Sequence, residues 1–104
     1  MYRGTTPTLI FRLNSPNLNL AAVSELWVTL KQAPYSKTWD RTQCSLDNEQ
    51  KTVTVTLTQE ETLEMPETSN MKVQIRFLMN DGKALATNIA TVDVNQILKD
   101  GVIE

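Results

Sequence analysis

Thirteen residues, Lys51 to Leu63, change their periodicity partway along, and this restricts the possible folds more than any other feature of the chain. From Thr52 to Thr58 apolar and polar residues alternate strictly. Side chains of a strand point to opposite faces with a period of two, so Val53, Val55 and Leu57 share one face and Thr52, Thr54, Thr56 and Thr58 the other. At Thr58 the alternation stops. Thr58-x-x-Glu61 has the form of a capping box, in which the threonine hydroxyl and the glutamate carboxylate satisfy the first free N–H groups of a helix. The helix is expected from Gln59 to about Met65, because the residue before Pro66 disfavours helical angles. A strand that passes through one helical turn into another strand predicts a crossover between two sheets.

The same alternation marks other strands. In Thr8 to Leu13, Leu9, Phe11 and Leu13 face one way, and Pro7 stands at the start, where a missing N–H does little harm. Asn14-Ser-Pro-Asn17 is a turn cluster, and Leu18 to Val23 reads as a connection that packs Leu18 or Leu20 inward. Glu25 to Gln32 places Leu26, Val28 and Leu30 inward and Trp27, Thr29 and Lys31 outward. After Pro34, Tyr35 to Arg41 reads as a third strand with Tyr35, Lys37 and Trp39 on one face, and Gln43 to Leu46 as a short fourth.

Met71 to Val94 reads as a hairpin around Asn80-Asp81-Gly82-Lys83, with Asp81 and Gly82 as a two-residue turn. That register sets Leu78 opposite Leu85, Phe77 opposite Ala86 and Ile75 opposite Asn88. One face then carries Val73, Ile75, Phe77, Met79, Ala84, Ala86, Ala90, Val92 and Val94, and only Asn88 disagrees. A three-residue loop with a bulge pairs odd positions with odd ones instead, and stays open. Asn95 to Gly101 reads as one capped helical turn. The sum is an all-β chain: residues 1–104 form one immunoglobulin-like antiparallel β-sandwich of about seven strands with one short crossover helix.

Composition narrows the chemistry. Apolar residues make up 40% and charged residues 21%, which suits a folded domain and not a disordered one. The ten basic residues are scattered and the net charge is −2, so nucleic acid meets no basic footprint. No segment is long and apolar enough to span a bilayer, and Met1 to Pro7 lacks the apolar region of a signal peptide. The single cysteine, Cys44, excludes an intramolecular disulfide, and a reducing cytosol is the expected compartment. The chain has no histidine and only three glycines, which removes the commonest general base, the commonest zinc ligand and any phosphate-cradling loop. No catalytic, cofactor-binding or metal-binding residue is assigned, and no cofactor is expected.

Some residues have two readings. Glu60, Glu61, Glu64 and Glu67 suit either a cation site or the solvated start of a helix, and the spacing matches no calcium loop. Cys44 reads as a small buried hydrophobe in preference to a reactive thiol. Ile10, Trp27, Leu78, Leu85 and Ile89 have the wrong parity for a single core. They form either an apolar patch for self-association or docking, or a surface covered by loops. Trp27, Tyr35 and Trp39 either stack a glycan or partner, or seal the core. Leu78, Leu85, Ile89, Trp27 and Trp39 are therefore the candidate interface residues. The tail residues Ile97, Leu98, Val102 and Ile103 either close the sandwich or dock on a neighbour.

Three segments carry a family resemblance. Met1-Tyr-Arg-Gly-Thr-Thr-Pro-Thr8, Leu57-Thr-Gln-Glu-Glu-Thr-Leu63, and Asp81-Gly82 with Ala90-Thr-Val-Asp-Val94 resemble small structural proteins encoded in phages and prophages of Gram-positive gut bacteria. The strand Thr6-Pro-Thr-Leu-Ile-Phe11 and the Asp-Gly hairpin are also similar to the N-terminal β-sandwich of phage baseplate upper proteins. The resemblance implies a non-enzymatic tail, baseplate or virion-associated module that assembles with itself or with other phage structural proteins. It also implies a place in the bacterial cytoplasm and then in the virion. A baseplate upper protein continues into a helical linker and a host-facing domain, whereas this chain ends at Glu104. An adaptor, a decoration protein or a small tail-cluster protein is thus expected. The other expectation is a stand-alone glycan- or protein-binding sandwich.

Overall fold

A computed structural model describes residues 1–14, 18–97 and 101–103. In chain order the strands are β1 (Thr8–Arg12), β2 (Val23–Gln32), β3 (Tyr35–Asp40), β4 (Cys44–Asp47) and β5 (Thr52–Thr56), followed by the helix α1 (Gln59–Leu63). Then come β6 (Thr68–Met79), β7 (Ala84–Ala86) and β8 (Ala90–Val94). Short 3₁₀ turns at Leu20–Ala22 and Arg41–Gln43 carry the chain between layers. All strand pairs are antiparallel and form two sheets, one ordered β1-β5-β4 and the other β3-β2-β6-β7, with β8 also paired to β6. If β1, β5 and β4 are strands B, E and D, and β3, β2, β6 and β7–β8 are C′, C, F and G, the neighbours are those of an immunoglobulin-type sandwich. Among the described residues no strand occupies the place of A on the free edge of β1.

Alternation builds the core. Val53, Val55 and Leu57 from one layer meet Leu26, Val28, Leu30, Met71, Val73, Ile75 and Phe77 from the other, all buried. Each such side chain contributes about 1.5–3 kcal/mol by leaving water. Leu20 is buried as expected of the connection before β2. Leu9 and Phe11 pack against this core from β1. α1 lies where β5 leaves the smaller sheet and β6 joins the larger, so the predicted crossover is present; the helix stops at Leu63, two residues short of Met65. Thr52 departs from its expected wet position and is buried to 7% exposure between Arg12 and Asp47 in the neighbouring strands. Asn14 to Asn17 falls partly, and Leu98 and the Asn95–Gly101 turn fall wholly or partly, outside the described residues; Asn95 itself forms a parallel bridge with Tyr2.

The late hairpin corrects the expected register. Its loop has three residues, Asn80 to Gly82: Met79 N donates to Lys83 O at 2.9 Å and Gly82 N donates to Met79 O at 3.0 Å. Gly82 has φ +89°, a left-handed angle that a side chain resists, and it absorbs the extra residue. Phe77 therefore faces Leu85, and Leu78 faces Ala84, so Leu78 and Leu85 are not partners. Ala84 and Ala86 leave the core face for the same reason, and Leu85 takes the inward parity.

A second correction restores the expected faces further on. Arg76 and Val73 are three steps apart, but their partners Ala86 and Ala90 are four apart, so the strand bulges at Thr87–Ile89. Thr87 bridges the break. Its N–H donates to Ile75 O at 2.9 Å, its hydroxyl oxygen accepts from Ile75 N at 3.1 Å, and its carbonyl accepts from Gln74 Nε2 at 2.9 Å. After the bulge Ala90 and Val92 again stand opposite Val73 and Met71, as the alternation requires. The bulge splits the expected last strand and raises the count from about seven to eight. Replacing Thr87 by valine keeps the shape and removes the acceptor, leaving Ile75 N–H unsatisfied. Urea unfolding should show a loss of about 1–3 kcal/mol; an unchanged midpoint contradicts this role for the hydroxyl.

Candidate interaction surface

The lateral side of the sandwich near β3 is tied shut by Glu61. As the third residue of α1 it completes the capping box: Glu61 N donates to Thr58 Oγ1 at 3.2 Å, and Thr58 N donates to Glu61 Oε1 at 2.8 Å. Its other oxygen, Oε2, accepts from the indole Nε1 of Trp39 at 2.7 Å. The exposed Lys37 stands 4.0 Å from the same oxygen, at the limit of an ion pair and of small energetic weight. The acidic run after Thr58 is thus capping chemistry in the case of Glu61, and among the described residues no group of acids, cysteine or histidine is arranged to hold a metal ion. At the other end of α1, Arg3 donates from Nε to Met65 O at 2.8 Å and from Nη2 to Leu63 O at 2.7 Å. The sequence pattern gave no sign of Arg3 in this role.

The three aromatic candidates do not share a surface. Trp39 pairs in register with Val28 and is 1% exposed, whereas Trp27 pairs with Asp40 and points outward at 38% exposure. Trp39 belongs to the core, and the expected interface role for it is withdrawn: a period-two strand puts positions 27 and 39 of this register on opposite faces. Tyr35 lies on the Trp39 side, half-buried, and its phenol oxygen is enclosed without a hydrogen-bond partner among the described residues. Burial, then the carboxylates of Glu64 and Glu61, push the Tyr35 hydroxyl up to about 12. Cys44 is half-buried against the core, and burial, then Asp40, raise its thiol above the ordinary range, which disfavours the reactive thiolate. Trp27 alone remains on the outer face, with Asp40 and Arg76 beside it on the flanking strands.

The opposite lateral side, where β1 and β7–β8 end their sheets, carries the other candidates. Leu85 has the inward parity yet is 42% exposed, because the smaller sheet ends at β1 and leaves it uncovered. Ile89 projects from the bulge at 61% exposure, and Ile10 lies 59% exposed on the outer face of β1. Leu78 is only partly exposed, on the outer face beside Ala84. Arg12, Leu13, Leu18, Phe77, Leu85 and Ala90 line an open groove of about 560 Å³ between the two sheets. Leu85 and Ile89 are therefore near neighbours along one edge, while Leu78 and Trp27 face the other way. The sequence marked Ile10, Leu85 and Ile89 by parity; it did not reveal the groove, which depends on the unequal widths of the sheets. No family model matches the chain, and no curated protein matches it.

Two outcomes follow for the closed side. Glu61→Ala removes the cap acceptor and the Trp39 partner together and should lower stability by about 2–4 kcal/mol in urea unfolding; a loss below about 1 kcal/mol contradicts the shared role. For Tyr35, the folded chain keeps its phenol proton while the unfolded chain loses it near an ordinary tyrosine value of about 10. Stability is then fully present below that pH and declines as pH rises towards about 12. Tyr35→Phe should abolish this share of the decline at little or no cost at neutral pH, since the hydroxyl has no partner. A large neutral-pH loss shows instead that the hydroxyl is bonded.

Proposed function

We propose that this protein is a non-enzymatic assembly module of a phage or prophage particle, acting through protein–protein contact at the side formed by β1 and β7–β8. The observation that supports this reading is the uncovered step there: Leu85 has the inward parity yet is exposed, and Ile10 and Ile89 are exposed on the segments that end the two sheets, beside the exposure of Tyr2, Trp27, Val102 and Ile103. Exposed apolar residues gathered on one edge suit a partner surface. The resemblance of Met1–Thr8, Leu57–Leu63 and Ala90–Val94 to phage structural proteins supplies the setting. The partners are further copies of the chain or other particle proteins. The finer placement, as a tail, baseplate or decoration component, follows from the same resemblance.

One observation favours a second reading, glycan binding on the outer face of the larger sheet. Trp27 is exposed there with Asp40 and Arg76 on either side, an aromatic plane with a hydrogen-bond acceptor and a donor beside it. The loss of Trp39 and Tyr35 from this face leaves a single stacking residue, which weakens this reading against the first.

Purified particles of the host strain test the first reading. The wild-type chain should co-sediment with them, and Leu85→Lys with Ile89→Lys should abolish this while far-ultraviolet circular dichroism stays unchanged, because both side chains are exposed. Absence of the wild-type chain from particles overturns the reading. Loss of binding in a glycan array on Trp27→Ala supports the second.

A further inference from the structure

The hydrogen-bond phase of β1 shows what kind of partner its side accepts. Leu57 N donates to Pro7 O at 3.0 Å and Leu13 N donates to Lys51 O at 2.9 Å, so the odd-numbered positions of β1 bond to β5. The N–H and C=O groups of Thr8, Ile10 and Arg12 therefore point away from β5, along the free edge. They have no hydrogen-bond partner among the described residues. These groups are a template for one more strand. The larger sheet is four positions wide, since β7 and β8 share one edge of β6, and the smaller sheet is three wide. The missing fourth position lies beside β1, above Leu85 and Ala90. The chain's own first residues reach only the far end of this side: Asn95 N donates to Met1 O at 2.6 Å and Arg3 N donates to Asn95 O at 3.1 Å. The step has the width of a single strand, so it suits an extended arm. A whole sheet edge approaching β1 meets the overhanging β7–β8 first.

We infer that the free edge of β1 and the adjoining groove bind an extended segment of a partner polypeptide by strand addition, completing the smaller sheet at the position of strand A. The backbone groups of Thr8, Ile10 and Arg12 supply the ladder, and the floor of Leu13, Leu18, Phe77 and Leu85 accepts apolar side chains at alternate positions. Arg12 is the one charged side chain among those lining this groove, so the arm carries an acidic residue where it meets Arg12. This inference rests on the assembly reading, because it names the partner's chemistry at the same side.

The probe is a synthetic peptide of alternating valine and threonine with one aspartate, titrated by fluorescence anisotropy against the intact chain. Saturable binding is expected, weakened by salt. Ile10→Pro removes an N–H that points outward, leaves the ladder to β5 intact, and should weaken binding at least about tenfold. Leu85→Asp places a charge on the exposed floor and should do the same. Trp27→Ala, on the outer face, should leave binding unchanged. Peptide binding that survives both Ile10→Pro and Leu85→Asp, or no binding by a wild-type chain shown monomeric by light scattering, overturns the inference. A wild-type dimer that Ile10→Pro dissociates shows that a second copy fills the groove, and overturns the assignment to a foreign arm. Co-sedimentation with particles that persists in Ile10→Pro rejects strand addition and leaves the assembly reading standing.

Discussion

The hydrogen bond from Trp39 Nε1 to Glu61 Oε2 holds the two layers in relation to one another. Trp39 belongs to β3 in the larger sheet, and Glu61 opens the helix through which the chain leaves the smaller one. The carboxylate satisfies two donors at once, one from each part, and charge-assisted bonds of this kind are worth about 1.5–3 kcal/mol each. The bulk of Trp39 fills the core at the same point. Arg3 then fastens the last carbonyls of α1 to the first residues of the chain. A helix of five residues has little intrinsic stability, so these tertiary bonds at both ends keep the crossover in place.

With one lateral side fixed in this way, the other side becomes the place where the unequal sheets show. The smaller sheet stops at β1 while the larger continues to β7–β8, and Leu85 lies uncovered under the step. The bulge at Thr87–Ile89 serves two ends. It returns Ala90 and Val92 to the inward face, and it interrupts a free edge that would otherwise present a long continuous template. The edge of β1 has no such interruption. Its one charged residue is Arg12 at the end, with Ile10 exposed before it.

The parts of this fold legible from sequence are those set by local rules. Alternation located β1, β2, β3 and β5 and the side chains they bury, and Thr58-x-x-Glu61 located the crossover, because caps and period-two faces are decided within a few residues. The hairpin register was not legible. Asp81-Gly82 suits a two-residue and a three-residue loop alike, and one residue of slip exchanges the faces of Leu85 and Ala84. The misfit at Asn88 was the one trace of the bulge that contains it. The fates of Trp27 and Trp39 followed from strand parity and pairing together, which no single segment contains. Arg3 was invisible for the same reason, since its acceptors lie some sixty residues away.

The sandwich is tied together on one side and one strand short on the other, with the even-numbered backbone groups of β1 left unpaired among the described residues. Residue-resolved amide hydrogen exchange on the isolated chain tests this directly. The amides of Leu9, Phe11 and the central positions of β2 and β6, with the Trp39 indole N–H, should exchange slowly, and those of Ile10 and Arg12 fast. If Ile10 and Arg12 are as protected as Leu9 and Phe11, the edge of β1 is already filled and the account fails.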